Sequence, residues 1–330
     1  MFRTLIDLTA VPAVYRLSRP FATALRSASR TVPACDISMT FSDGCASRGI
    51  AVPVKEVTGE SPEACLAALI GPIRDCMLSQ TLSDENLANL LDDALPGVPA
   101  AKSGVEMAWR AALGRMRDGF SVLTDATVSL APTTAACEQA AYWAKSGFTH
   151  LKIKVDSRPT NVSHIKAIAE AVPEAKLRID PNQAWTLAET LTISSDLAEA
   201  NMPIDFIEQP LPPHSDQDLR ELCAYSPFPI AADESLRSPD QVSALAGMGV
   251  STAIVKIGKA GGWSRAVEMA READRLDMSV IVSSMLEPGP CVLEAARLAY
   301  EVAPEGIHDL DAALFFADGS EHYHPPCLVT

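Results

Sequence analysis

From about residue 120 onwards, short hydrophobic runs rich in β-branched residues alternate with longer amphipathic stretches. Each hydrophobic run after the first ends in a polar or charged residue, and these successive ends lie 23 to 28 residues apart. The runs are VLTDATVSL, THLKIK, KLRID, PIDFIE, FPIAAD, TAIVK, MSVIVS and GIHD. Between them, apolar residues recur at steps of three and four, which is typical of helices. The pattern therefore predicts eight strands separated by seven helices.

A strand followed by a helix, repeated at this length, makes right-handed crossovers and gives a parallel sheet. Eight such units close into a barrel, whereas an open doubly wound sheet usually carries a glycine-rich phosphate loop after its first strand. Nothing resembling that loop follows VLTDATVSL. We therefore predict an α/β protein whose residues 119–316 form a barrel.

The first 118 residues have a different pattern. Two β-like runs flank the turn signal Ser42-Asp43-Gly44, and three segments with helical periodicity follow. One of them begins with Ser61 and Pro62, which suit the cap and the first turn of a helix. Strands followed by helices predict a separate α+β domain over residues 1–118. We expect the short tail, residues 317–330, to return to this N-terminal domain.

Composition and charge exclude several classes of function. The chain is 48% hydrophobic and 21% charged, as in an ordinary soluble globular protein. Its formal net charge of −15 repels phosphate backbones and anionic lipids, which makes nucleic acids and membranes poor candidate partners. The eight cysteines show no Cys-x-x-Cys or zinc-finger spacing, and no apolar run approaches the ~20 residues of a membrane span. We expect a cytoplasmic protein with reduced thiols; a homo-oligomer is compatible with the sequence, which identifies no interface.

Three consecutive predicted strands end in carboxylates: Asp180, Glu208 and Asp233. Adjacent strands lie about 4.8 Å apart, so three carboxylates at one level can converge on a cation. Without a cation their repulsion would raise their pKa values. Each of them alone could be a helix cap, but three in succession favour a metal site. An all-oxygen set predicts Mg²⁺, one ion per chain.

Lysines lie on either side of these carboxylates. Lys152 and Lys154 are two residues apart on one predicted strand and therefore point to the same face, and Lys256 ends a strand on the opposite side of the barrel mouth. A solvated strand end is the alternative explanation for the first pair. Two bases facing each other across a metal-bound carboxylate substrate could remove a proton from one face and return it to the other. A neighbouring cation such as Lys152 would lower the pKa of Lys154 towards the range of a general base.

Five motifs, LKIKV, LRIDPNQAW, FIEQPLP, IAADES and IVKIGKAGG, occur in this order. Together they resemble the muconate lactonizing enzyme subgroup of the enolase superfamily. The resemblance implies a modified (β/α)7β TIM barrel under an α+β capping domain, Mg²⁺ on the three carboxylates, and Lys154 and Lys256 as the acid/base pair. It also implies a substrate-binding role for Lys152, and supporting roles near the metal for Asn182 and Glu234.

One further motif bears on the substrate. Asp309-Leu310-Asp311 resembles the Asp-x-Asp of dipeptide epimerases, which holds the α-ammonium group of the substrate. A free amine needs a carboxylate, whereas succinylated or muconate substrates have no amine to bind. A turn or cap at the strand end is the alternative.

Other segments resemble the rim of the site in the same epimerases. Arg26, in RPFATALR, would reach from the cap towards an anionic side chain such as glutamate, unless it is a solvated surface arginine. In SSMLEPG, Ser283 would line the mouth together with Ser284 and Glu287. One departure is clear: Ile50 stands where the subgroup usually has the glutamate of Gly-x-Gly-Glu.

The leading hypothesis is a Mg²⁺-dependent dipeptide epimerase, an isomerase that inverts the α-carbon of the C-terminal residue of a dipeptide such as Ala-Glu from peptidoglycan recycling. An o-succinylbenzoate synthase, an N-succinylamino acid racemase or a muconate cycloisomerase would use the same lysines and metal. A non-catalytic binding barrel is disfavoured, because a binding protein has no reason to bury opposed bases.

Overall fold

A computed structural model describes residues 2–24, 26–115, 118–317, 319 and 321–329, apart from the side chains of residues 26, 27 and 85. The N-terminal part contains strands β1 (Arg3–Thr23), β2 (Arg26–Phe41), β3 (Ala46–Ala51) and β4 (Thr81–Leu82). Its helices are α1 (Lys55–Thr58), α2 (Pro62–Ala68), α3 (Arg74–Met77), α4 (Asp84–Ala94) and α5 (Pro99–Ala112), with a π-helical turn, Leu69–Ile73, joining α2 and α3.

This N-terminal part is the cap. Its four strands form an antiparallel sheet in the order β3-β2-β1-β4, and its helices pack on one face of the sheet. Ser61 caps α2 as its sequence predicts, because its side chain accepts the N–H of Ala64. Helix α5 lies unusually close to the sheet at Gly104, where an added Cβ would come within 2.8 Å of the backbone nitrogen of Ala51. This close approach requires glycine and fixes the position of α5.

The second part alternates strands and helices. Its elements are β5 (Ser121–Thr124), β6 (Ala126–Val128), α6 (Thr133–Lys145), β7 (His150–Lys154), α7 (Asn161–Ala171), β8 (Lys176–Asp180), α8 (Leu187–Glu199), β9 (Ile204–Glu208), α9 (Asp216–Tyr225), β10 (Ile230–Ala232), α10 (Asp240–Gly247), β11 (Thr252–Val255), α11 (Ile257–Ala260), α12 (Trp263–Arg275), β12 (Ser279–Val282), α13 (Gly289–Val302) and β13 (Ile307–His308). A 3-10 turn, Ala312–Phe315, and two short strands, β14 (Tyr323–His324) and β15 (Cys327–Val329), follow.

Strands β6 to β12 form one parallel sheet in sequential order. The sheet closes through β13, which pairs in parallel with β5, and through a parallel bridge between Ser283 and Asp309. Apolar side chains between the sheet and its helices form the largest core cluster. The predicted α/β barrel with an α+β cap is therefore confirmed. The first predicted strand, VLTDATVSL, is interrupted at Asp125 between β5 and β6.

The C-terminal tail does not follow the prediction. Strand β15 pairs antiparallel with β5 of the barrel, and β14 pairs with β15. The expectation that the tail returns to the cap is therefore wrong for these two strands. The reason is the free edge of β5, whose backbone groups need partners that the short β13 supplies on one side only.

The hydrophobic contact between cap and barrel explains why Ile50 can stand where the subgroup usually has a glutamate. Ile50 packs against a cluster that joins cap residues, including Leu17 and Val52, to Phe315 and Phe316 beyond the barrel. An apolar side chain suits this position.

Among the described residues, no helix is both long and apolar enough to cross a membrane.

Candidate active site

A cavity of about 110 Å³ lies between the cap and the carboxyl ends of the barrel strands. The cap contributes Phe21, Thr23, Val54, Glu56 and Val57 to its wall. Most of the charged side chains predicted from the sequence line the barrel side, namely Lys152, Lys154, Asp233, Glu234, Lys256, Asp309 and Asp311, and the polar residues Asn182 and Ser284 join them.

Lys154 and Lys256 lie on opposite sides of the barrel mouth. Lys154 ends β7 and Lys256 directly follows β11, so four strand positions separate them around the barrel. Each ammonium group donates a hydrogen bond of 2.5 Å to a predicted metal ligand, Lys154 to Asp180 and Lys256 to Asp233. Both lysines are buried yet line the cavity, which is the arrangement that two opposed bases require.

The three predicted metal ligands are fully buried at neighbouring strand ends. Lys152 Nζ lies 3.1 Å from Asp180 Oδ2 and 2.6 Å from Glu208 Oε1, so one ammonium group bridges two of them. Asp180 and Glu208 are not among the residues that line the cavity, whereas Lys152 is. The lysines thus neutralise the carboxylates that a cation would otherwise hold together.

Burial and neighbouring charges shift the pKa values of these groups in opposite directions. Burial raises the pKa of Glu208 to about 8, although Lys152 opposes the shift. Burial also acts to raise the pKa of Asp233, but the ammonium groups of Lys256 and Lys259 outweigh it and leave that pKa well below its usual value. For Lys256, burial lowers the pKa and Asp233 more than compensates, so the pKa is raised.

The residues present fit a hard divalent cation. Asp180, Glu208 and Asp233 form an all-oxygen donor set, the type that Mg²⁺ prefers. Two buried oxygens nearby, Asn182 Oδ1 and Glu234 Oε2, have no hydrogen-bond partner in the described structure. Asn182 Nδ2 contacts Glu234 Oε1 at 3.4 Å, and the backbone nitrogen of Asn182 donates to Asp180 Oδ1 at 2.9 Å, so this pair lies beside a predicted metal ligand. Unpartnered buried oxygens are costly, so a cation or its water ligands would stabilise this region.

A second acidic group lies where the barrel closes. Within the described ranges, oxygens of Asp125, Asp309 and Asp311 approach within 4.8 Å of one another, close enough to surround a cation. Asp309 accepts hydrogen bonds from Lys152 Nζ and Ser283 Oγ, both at 2.7 Å.

Asp311 accepts bonds from the backbone nitrogen and the hydroxyl group of Thr127. Burial and the negative charge of Asp309 raise the pKa of Asp311 to about 7. Burial also acts on Asp309, but Lys152 and Lys256 hold its pKa below the usual value. Asp309 and Asp311 both line the cavity, so the Asp-x-Asp pair is available to an ammonium group.

Asp125 was missed in the sequence, and so was its partner. Arg178 Nη1 lies 2.8 Å from Asp125 Oδ2, Nε lies 3.0 Å from Asp205 Oδ2, and Nη2 donates to the carbonyl oxygen of Ile307. The signal was present in KLRID, because Arg178 lies two residues before Asp180 and therefore points to the same face of β8. This buried ion network joins the first and last barrel strands beneath the cavity.

The structure corrects the expected roles at the rim. Ser283 does not line the cavity; its hydroxyl group instead donates to Asp309. Ser284 does line it, and its buried hydroxyl oxygen has no partner among the described residues. Glu287 is buried outside the cavity wall, and burial raises its pKa to about 7. The side chain of Arg26 lies outside the described residues.

Lys259 is a further buried lysine that the motif IVKIGKAGG contained without being singled out. Its ammonium group contacts Asp233 Oδ1 at 2.6 Å and the carbonyl oxygens of Asp233 and Ile254. Burial lowers its pKa, and Asp233 opposes that shift. Its contacts join a predicted metal ligand, Asp233, to strand β11, which indicates a structural role.

Known proteins share both the fold and the sequence pattern. Residues 135–324, more than half of the chain, match the family described as enolase C-terminal domain-like. The L-Ala-D/L-Glu epimerase of Bacillus subtilis is 30% identical over 313 residues, which cover 90% of this chain and 85% of the relative. The substrate-liganded structure of that epimerase superposes with a TM-score of 0.89 at 28% identity, covering 96% of this chain and 92% of the other.

Two further relatives differ in substrate. A dipeptide epimerase from Methylococcus capsulatus, solved with Mg and the dipeptide L-Arg-D-Lys, has a TM-score of 0.83 at 26% identity and covers 95% of this chain and 92% of its own. The N-succinyl-L-Arg/Lys racemase of Bacillus cereus is 26% identical over 332 residues, 94% of this chain and 89% of the relative. The family match and the extent of these similarities confirm the resemblance seen in the motifs. The chain belongs to the enolase superfamily.

Proposed function

We propose that this protein is a Mg²⁺-dependent dipeptide epimerase, an isomerase that inverts the α-carbon of the C-terminal residue of its substrate. The observation that carries the proposal is the placement of Lys154 and Lys256 on opposite sides of a cavity whose wall also holds Asp309 and Asp311. The first pair suits proton transfer at a carbon between them, and the second suits a free amine. The relatives that are epimerases of dipeptides support this reading.

In this proposal one lysine removes the α-proton and the other returns a proton from the opposite face. Asp180, Glu208 and Asp233 would hold Mg²⁺, which supplies stabilisation of the negative charge that develops on the substrate carboxylate. In each direction of the reaction one of Lys154 and Lys256 must be neutral to accept the α-proton, while the other is protonated and donates its proton to the opposite face. Their contacts to Asp180 and Asp233 hold them in place before the substrate arrives.

The other end of the substrate would be held by the Asp-x-Asp pair. A dipeptide carries its ammonium group one residue away from the reacting carbon, and Asp309 and Asp311 offer carboxylates there. Lys152 would orient Asp309 through the hydrogen bond to its carboxylate, and its positive charge would offset the negative charge of that carboxylate. The hydroxyl group of Ser284, which has no partner in the part of the chain that the structure describes, is available to the polar peptide group between the two ends.

An N-succinylamino acid racemase is the nearest rival, because one relative has that activity. A succinyl group would bring a second carboxylate towards Asp309 and Asp311. Like charges in a buried site repel strongly, so these two aspartates argue against succinylated substrates. The same argument disfavours o-succinylbenzoate synthase and muconate cycloisomerase activity.

Several broader features are part of the proposal. We infer a cytoplasmic enzyme that acts on a dipeptide such as Ala-Glu in peptidoglycan recycling, with one Mg²⁺ per chain and an N-terminal capping domain over residues 1–118. The acidic surface makes binding to nucleic acids or anionic membranes unfavourable.

The test is proton exchange in deuterated water. The protein with Mg²⁺ is incubated with a dipeptide library and, separately, with N-succinylamino acids, and mass and stereochemistry are followed. We expect a one-unit mass gain and inversion in a narrow set of dipeptides, both lost on chelation. Exchange in the succinylated compounds alone would select the racemase.

Single lysine variants test the two-base mechanism more sharply. Lys154→Ala and Lys256→Ala should each lower epimerisation by about 10²–10⁴-fold, the usual effect of losing a general acid or base. The lysine that remains should still exchange the α-proton of one epimer, and the two variants should prefer opposite epimers. Lys145→Ala, on the exposed face of α6, is the matched control and should leave the rate unchanged. Undiminished epimerisation in the double lysine variant would contradict the mechanism.

A further inference from the structure

Gln209 directly follows the predicted metal ligand Glu208, and its side chain is buried. Its carbonyl oxygen, Oε1, accepts the backbone N–H groups of Asp233 and Ser235, both at 3.0 Å. Its amide nitrogen, Nε2, donates to the carbonyl oxygen of Leu211 and to the hydroxyl group of Ser235, both at 2.8 Å. One side chain thus makes four hydrogen bonds, three of them to the turn that begins with Asp233.

The backbone of Gln209 contacts two more segments of the site. Its N–H donates to the carbonyl oxygen of Ala231 in β10, and its carbonyl oxygen accepts the N–H of Gln183, three residues after Asp180. Gln209 also has a positive φ of 37°, a conformation that is costly for a residue with a side chain and that persists only where the surroundings fix it. It therefore connects the loops that follow all three predicted metal ligands.

We propose that Gln209 is the positioning residue of the metal site: its amide group fixes the turn that carries Asp233 relative to Glu208 and so sets the affinity for Mg²⁺. This inference rests on the metal site of the proposed function. Gln209 does not touch the cavity where the reaction would occur, and it acts through the backbone of Asp233. Groups that orient metal ligands in this way contribute 10–100-fold to metal affinity.

The chain offers a matched control in Gln241. Its Oε1 likewise accepts two backbone N–H groups, those of Arg237 and Ser238, at 2.6 and 3.1 Å. These residues belong to the same connection between β10 and α10, but neither is a predicted metal ligand. Gln209→Met and Gln241→Met therefore remove the same kind of contact from the two ends of one loop, with similar side-chain length retained.

The experiment measures Mg²⁺ binding directly, by calorimetric titration of the full chain with no substrate present. Gln209→Met should weaken Mg²⁺ affinity by about 10–100-fold, and Gln241→Met by less than about 3-fold. Urea unfolding is measured for both variants. A purely structural role for Gln209 would lower stability and leave Mg²⁺ affinity equal to that of the wild type, and this result would overturn the inference.

A second variant tests the same inference if Gln209→Met fails to fold. Ser235→Ala removes only the hydroxyl partner of Nε2 and should give a smaller loss of Mg²⁺ affinity in the same direction. An unchanged affinity in Ser235→Ala, together with misfolding of Gln209→Met, would count against the positioning role. Failure of the wild type itself to bind Mg²⁺ would instead contradict the proposed metal site.

Discussion

Lys152 Nζ lies 2.7 Å from Asp309 Oδ2, so a lysine that bridges two predicted metal ligands also holds the first residue of the Asp-x-Asp pair. The predicted metal ligands and the pair proposed to bind an amine therefore share a buried counter-ion. This contact joins β7 to the residue after β13, which are far apart in sequence and adjacent only in a closed barrel.

Replacing Lys152 should be destabilising, and Mg²⁺ should restore part of the loss. Lys152→Met leaves Asp180, Glu208 and Asp309 buried without their shared ammonium group. Removing one partner from a buried ion pair lowers stability by about 3–5 kcal/mol, so we expect a loss of this size at pH 7 without metal. Urea unfolding with and without saturating Mg²⁺ measures both effects.

Lys176 provides the control for this variant. It is an exposed lysine at the start of β8, and Lys176→Met should change stability by less than about 0.5 kcal/mol. Equal stability of Lys152→Met and the wild type would show that the buried carboxylates are protonated and need no counter-ion.

Dipeptide binding should strengthen as the pH rises through about 7. Asp311 has its pKa raised to about 7 by burial and by Asp309, so its carboxyl group is neutral below that pH and ionised above it. An ammonium group binds the ionised form, and KM should therefore fall as the pH rises from 6 to 8. Steady-state kinetics across this range measure the change.

Asp311→Asn isolates the cause of that pH dependence. This variant should raise KM about 10-fold or more at pH 8 and remove most of the change in KM between pH 6 and 8, because the amide group does not ionise. The same pH dependence of KM in Asp311→Asn would assign the titration to another group.

His308 should make the fold sensitive to acid. It is fully buried, and burial lowers its pKa from 6.5 to about 4 while its Nδ1 accepts the N–H of Val282. The unfolded chain binds the proton more readily, so this stabilisation is complete above pH 6.5 and is lost as the pH falls towards 4. The difference amounts to about 3 kcal/mol between pH 7 and pH 4.

The slope of stability against pH tests this effect of His308. His308→Gln retains a side-chain acceptor and should flatten the slope between pH 6.5 and 4, whatever its stability at pH 7. Chemical unfolding at several pH values gives the slopes. Identical slopes for variant and wild type would mean that the buried carboxylates alone cause the acid sensitivity.

Gly104→Ala should destabilise the cap although alanine favours a helix. Helix propensity would stabilise this change by about 1 kcal/mol. The added Cβ, however, would lie 2.8 Å from the backbone nitrogen of Ala51 and 2.7 Å from Ile37 Cδ1, and overpacking of this kind typically costs 1–3 kcal/mol. Because a backbone atom cannot move aside like a flexible side chain, we expect the clash to prevail and the melting temperature to fall.

Gly247 is the matched comparison at the end of α10. Apart from the adjacent residues and the backbone of the helix itself, no atom of the described residues lies within 4 Å of an added Cβ there, so Gly247→Ala should be neutral or stabilising by up to about 1 kcal/mol. Thermal unfolding of both variants decides between propensity and packing. Stabilisation by Gly104→Ala would mean that α5 can shift away from the sheet without a loss of packing energy.

The barrel was predictable from sequence because its signal repeats. Each strand end carries a polar residue at a nearly constant interval, and the carboxyl ends of parallel strands meet at one edge. The positions of Asp180 and Lys256 at the mouth follow from this geometry alone. Their spacing along the chain is enough, because the fold converts a sequence interval into a fixed step around the barrel.

Contacts across the barrel closure were not predictable in this way. Arg178 and Asp125 are 53 residues apart, and nothing in either segment specifies the other. That Ser284 lines the cavity and Ser283 does not depends on which of two adjacent hydroxyl groups faces the cavity, and the strand periodicity ends at that point. Gln209 was part of a recognised motif, but its role depends on loop geometry rather than on residue type.

The contacts that join the first and last strands of the barrel have a consequence for biosynthesis. Thr127 holds Asp311 across 184 residues of chain, whereas the three carboxylates predicted to bind metal come from consecutive strands in the middle. A nascent chain emerging from the ribosome could assemble the central strands first. The pair proposed to bind an amine would form only when β13 and the residues after it are complete and β13 joins β5, so substrate recognition would be acquired later than the predicted metal site.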